Sequence, residues 1–163
     1  MEHRDTLLTI AEIAVALAGF ASIVSVIARR ADEKSRVADS YRLRLMLEVA
    51  LRNAAFAVLP LPFLQLVPAD PVLWRIASGF YVVAALVHGL IRLRSQRGVG
   101  PHWFTRSAQV LLALTATTSA ANVLGLGGAN AFSLYLASLL FGLSASGLAF
   151  LAVAASALGF AKS

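Results

Sequence analysis

The chain has 163 residues, no cysteine, a formal net charge of +6 at pH 7, and a 59% hydrophobic share against 13% charged residues. Its mean hydropathy is +0.78. This leaves too little charge to coat a soluble globule, and it excludes disulfides, cysteine-ligated zinc or iron–sulfur centres and paired-thiol redox chemistry.

Five apolar runs predict an all-α, polytopic transmembrane helix bundle forming one integral-membrane domain over residues 1–163. The first covers 6–28 (TLLTIAEIAVALAGFASIVSVIA) and the second 45–67 (LMLEVALRNAAFAVLPLPFLQLV). The third covers 72–91, the fourth 107–124 and the fifth 131–157. At ~1.5 Å per residue such runs match a hydrocarbon core of ~30 Å. The fourth is the shortest and most polar, so a four-span alternative has it re-entrant or lying along the interface. Between it and the fifth run, GLGGAN at 125–130 carries three glycines and an asparagine, which permit a tight reversal.

Basic residues orient the spans. The connection at 29–44 holds Arg29, Arg30, Lys34, Arg36, Arg42 and Arg44, and that at 92–106 holds Arg92, Arg94, Arg97 and Arg106. The reversals at 68–71 and 125–130 hold none, and Lys162 follows the fifth run. The positive-inside rule then puts the N-terminus outside and Lys34, Gln96, Lys162 and the C-terminus in the cytoplasm. The first run is too long for a signal-peptide core and has a basic flank behind it, so it reads as an uncleaved anchor. The basic loops fit anionic lipid headgroups as partners, with no nucleic acid implied. No cofactor is expected.

Charged and polar groups at membrane depth are the candidate site. Glu12 and Arg75 fall towards the outer side and are expected to meet as an ion pair, with Asn122 joining them. Towards the cytoplasm, Glu48 and Arg52 stand at i, i+4 in the favourable order, with Asn53 beside them and His88 at comparable depth. Each layer reads either as a packing cluster, the preferred interpretation, or as part of an ion or proton path. Histidines at these spacings make no metal centre. Pro60 and Pro62 predict a bend. Trp74 and Trp103 read as interfacial anchors and packing groups, with Tyr81 deeper. Thr115, Thr117, Thr118, Ser119 and Asn122 give the fourth helix a polar side.

Small residues give the packing signal. Ala14, Ala18, Gly19 and Ser22 recur on the first helix, with Ala11 preceding them. Ser138, Gly142 and Ser146 make two successive small-xxx-small steps on the fifth. These faces serve either helices of one chain or copies in a homo-oligomer, and the sequence leaves both open.

The stretch AEIAVALAGFASIVSVIARR, followed by YRLRLMLEVALRNAAFAVLP and LWRIASGFYVVAALVHGLIRLR, resembles a widespread group of small, uncharacterised bacterial multi-span inner-membrane proteins. Glu12, Gly19, Phe20, Arg42, Arg44 and Glu48 occupy the characteristic stretches of that resemblance. It implies a compact protein of the bacterial inner (cytoplasmic) membrane and brings no residue roles. The expected function is structural or interaction-based. The alternative is a small oligomeric channel or transporter using membrane-depth carboxylates. An intramembrane lipid-modifying enzyme ranks third, because no HExxH, GxSxG or GxGxxG motif is present.

Overall fold

The computed structural model describes residues 2–28, 33–66, 71–95 and 102–157. Arg29, Arg30, the reversal at 68–70, Gln96, Arg97 and Lys162 lie outside the described residues, as do the side chains of Lys34, Arg36, Arg92, Arg94 and Trp103. The described residues form α1 (Glu2–Ala28), α2 (Glu33–Val58), the short α3 (Leu61–Leu66), α4 (Pro71–Ser95), α5 (His102–Val123) and α6 (Ala131–Ala157). A 3-10 turn at Gly128–Asn130 precedes α6.

Among the described residues, four helices are long and apolar enough to cross a membrane, the property expected of a membrane protein: Glu2–Val24, Arg42–Leu64, Pro71–Ile91 and Gly128–Ala155. α5 is equally helical over 22 residues, but its hydroxyl-rich sequence keeps it out of that group.

The helices overrun the apolar sequence. The expected connection at 29–44 is mostly α2, which begins at Glu33, and α4 continues through Arg92 and Arg94 to Ser95. Lys, Arg, Glu and Leu are good helix formers, so a polar stretch extends a helix that the apolar run only anchors. The second run is broken instead of bent. Pro60 has no N–H to continue the ladder, and its carbonyl accepts from Phe63 and Leu64 at 3.1 Å each to start α3. Pro62 then sits in the first turn of α3, where a missing donor costs nothing.

Cross-helix contacts fix the directions. His3 stacks on Phe132 and Phe20 meets Phe150, so α1 and α6 run parallel. Tyr135 reaches Phe56 while Ser146 reaches Met46, so α2 runs against α6. Asn122, near the end of α5, bonds to the starts of α4 and α6, so α5 opposes both. α1, α4 and α6 therefore run one way, and α2 and α5 the other.

α6 is the central helix. It packs against α1, α2, α4 and α5. Half of its candidate span is buried, against 28–33% for the other three. Leu7, Ala14, Ala57, Trp74, Tyr81, Tyr135 and Leu139 form the larger core, and Met46, Val49 and Ala149 a second one towards the opposite end. α5 closes with paired bonds, Gly125 N–H to the Asn122 carbonyl and Leu126 N–H to the Ala121 carbonyl. This Schellman turn needs a left-handed residue, supplied by Gly125 at φ +80°.

Candidate functional site: polar groups at mid-span

Three polar centres lie between the helices. The first joins α4, α5 and α6 at the end where α5 turns. Asn122 is fully buried, and its Nδ2 donates to Ser78 Oγ (2.8 Å) and to the Ala131 carbonyl (2.8 Å), with the Trp74 carbonyl at 3.3 Å. Trp74 is only 2% exposed and packs with His3, Phe132 and Tyr135, so it is a packing group and not an interfacial anchor.

The second centre is at mid-span. Ser119 Oγ donates to Ser138 Oγ (2.9 Å), which donates to the Leu134 carbonyl (2.9 Å), and Thr118 Oγ1 lies 2.8 Å from Ser138 Oγ. Thr115, Thr117 and Thr118 also bond back to carbonyls of their own helix. Next to them, Tyr81 Oη donates to Asn53 Oδ1 and stands 3.5 Å from the Ser138 carbonyl. Gly142 makes this meeting fit: a Cβ there would lie 2.5 Å from Tyr81 Oη and 2.6 Å from Asn53 Oδ1. Arg52 lies with its guanidinium carbon 5.6 Å from the centre of the Tyr81 ring.

The third centre is towards the basic end. Arg44 Nε donates to Glu48 Oε1 at 2.7 Å, and His88 Nδ1 lies 3.6 Å from Glu48 Oε2. Arg44 is 75% exposed, so the pair is largely solvated.

Two expected pairs are not formed. Glu12 and Arg75 do not meet, because α1 packs on α2 and α6, not along α4. Glu12 lies on the exposed face of α1, while the Arg75 guanidinium packs over the turn at Gly125, 3.3 Å from where a Cβ would sit. Asn122 belongs to a separate centre from Glu12. Glu48 pairs with Arg44 and not with Arg52, since Arg52 is drawn over Tyr81 and His88 approaches the second carboxylate oxygen.

The packing candidates divide as well. Ala14, Ala18, Ser138, Gly142 and Ser146 are buried within the chain, and Ser146 Oγ donates to the Met46 carbonyl at 3.0 Å. Gly19 and Ser22 face outwards, and nothing lies within 4 Å of a Cβ added at Gly19.

The Asn53–Tyr81–Gly142 meeting was missed at the level of sequence. Its signal was depth: each of the three lies near the middle of its candidate span. α2 and α4 otherwise stand apart, leaving an apolar groove of about 830 Å³ walled by Phe56, Phe63, Ile76, Phe80 and Val83. Comparison with family models, with curated proteins and with solved structures finds no match to this chain.

Proposed function

We propose that the protein is a five-span bundle of the bacterial inner membrane, N-terminus outside and C-terminus cytoplasmic, with a structural role exercised by docking other membrane helices against α1. One observation carries the docking. Glu12 sits near the middle of the Glu2–Val24 span, on the exposed face, with no ion-pair partner among the described residues. A carboxylate facing hydrocarbon is costly, and a neighbouring chain that covers it removes the cost. Ala16, Gly19 and Ile23 continue the stripe at helical spacing, and Gly19 lets a second backbone approach closely. The partner that fits is a second copy, whose α1 covers the same stripe.

The fifth span is supported by the way α5 presents itself. Thr115, Ser119 and Asn122 point inwards, while Val110, Leu114 and Val123 point out. Of the hydroxyls that lower its hydropathy, those of Thr115, Thr118 and Ser119 are hydrogen-bonded inside the bundle, and that of the outward-facing Thr117 bonds back to the Ala113 carbonyl. Alternating helix directions gather the basic segments at one end, consistent with the positive-inside orientation.

The test uses single cysteines, which are clean in a cysteine-free chain. Gly19→Cys in intact membranes is expected to cross-link into a species of twice the monomer mass. Ile76→Cys, equally exposed but on α4, is expected not to. A monomeric Gly19→Cys chain defeats the docking role. Labelling of Lys34→Cys from outside sealed cells defeats the orientation.

A further inference from the structure

We infer that Arg52 and Asn53 bind a compact monoanion, a halide or a formate-sized carboxylate, at mid-depth between α2 and α4. This rests on the interior of the bundle and is independent of the α1 face.

The argument begins with an imbalance of donors. Nε, Nη1 and Nη2 of Arg52 are each buried and none has a hydrogen-bond acceptor. Asn53 is fully buried, its Oδ1 is occupied by the Tyr81 hydroxyl, and its Nδ2 has no acceptor either. A guanidinium carries five N–H groups and an amide nitrogen two. The two residues are adjacent on α2, and the same tyrosine contacts both: its hydroxyl donates to Asn53 and also faces the Arg52 guanidinium, which lies beside its ring.

Charge makes the same demand. Asn53 lies at the centre of the Arg42–Leu64 span, so Arg52 stands at the depth where an uncompensated cation costs most. The carboxylate on its own helix is engaged elsewhere: Glu48 Oε1 is bonded to Arg44, and Oε2 faces His88. The Tyr81 ring face offers a cation–π contact, which offsets only part of that cost. A water molecule would satisfy hydrogen bonds but not the charge. An acceptor-only ligand of charge −1 satisfies both. At Gly142 the Tyr81 hydroxyl and the Asn53 amide already occupy the place of a side chain, so a ligand beside them must have few atoms.

Arg44, Glu48 and Arg52 recur every fourth residue of α2. They form one stripe from the exposed basic end to the buried guanidinium. An anion arriving from that end meets Arg44 first.

The experiment uses the full chain in nanodiscs of phosphatidylcholine, in gluconate buffer. Chloride or formate replaces gluconate at constant ionic strength while thermal unfolding is followed. Ligand binding to the folded state raises the midpoint, by about 3–6 °C at tenfold saturation. Sulfate, larger and doubly charged, is expected to give no rise. Asn53→Asp supplies an internal counter-charge and is expected to abolish the response while keeping stability in gluconate at or above that of the wild type. Arg52→Gln is expected to abolish it as well. Saturable chloride-35 line broadening, displaced by formate, is expected in the wild type. A flat midpoint with no such broadening overturns the proposal, whatever the variants do. A response of undiminished size in Asn53→Asp or Arg52→Gln overturns it too.

Discussion

The α5–α6 side of the bundle and the α2–α4 seam use similar polar residues to opposite ends. Between α4, α5 and α6, Asn122 spends its amide nitrogen on three acceptors, and Ser119, Thr118 and Ser138 bond one another. These groups act as links, and the helices they join pack along their length. Across the α2–α4 seam contact narrows to a few side-chain bridges: Asn53 and Phe56 to Tyr81, and Glu48 to His88. Beside those bridges lie an apolar groove and a cation without an acceptor. Polarity at membrane depth is therefore no guide to role by itself. What separates the two regions is whether each donor ends on an acceptor within the chain.

The largest effect is expected where the seam is tightest. Gly142→Ala places a Cβ 2.5 Å from Tyr81 Oη, and overpacking of this kind costs about 1–3 kcal/mol. Gly147→Ala, with nothing within 4 Å, is the control and is expected to be neutral or slightly stabilising. Reversible unfolding in bicelles measures both, and equal stabilities would mean that the seam has no tight point.

A smaller loss is expected on the linked side. Asn122→Ala removes bonds to both α4 and α6, and interhelical hydrogen bonds in membranes contribute about 0.6–1.7 kcal/mol each at most. A loss of about 1–2 kcal/mol in the same assay is expected. No loss would mean that the α4–α5–α6 contact rests on apolar packing alone. The smallest effect belongs to the solvated end. Arg44→Gln breaks an ion pair that is three-quarters exposed on its basic side, and about 0.5 kcal/mol or less is expected. A larger loss would put Glu48 in the buried network.

Helix positions were readable because runs of apolar residues need no neighbour to be recognised. The fifth helix begins at Ala131, where the fifth run does, and the GLGGAN reversal holds two left-handed glycines, Gly125 and Gly128. The basic stretch after Arg30 was misread as a connection because hydropathy marks where a helix enters lipid, not where it ends. Side-chain partners were harder. Glu48 has an arginine one turn away on either side, and periodicity cannot choose between Arg44 and Arg52; Tyr81, on another helix, decides it. Glu12 and Arg75 shared a depth in the sequence, but depth says nothing about azimuth. Only the packing of α1 against α2 and α6 shows that Glu12 faces away.

The central place of α6 has a consequence for synthesis. The helix that touches α1, α2, α4 and α5 leaves the ribosome after all of them. Until it inserts, the Tyr81 hydroxyl lacks the Ser138 carbonyl, and Asn122 lacks the Ala131 carbonyl. If the chain inserts in order, α1 with α2 and α4 with α5 pair first, and the polar groups that α6 completes wait without their partners. Assembly of the bundle is in effect one late docking event, and the interval before it is when the nascent protein is most open to quality-control proteases or to pairing with the wrong neighbour.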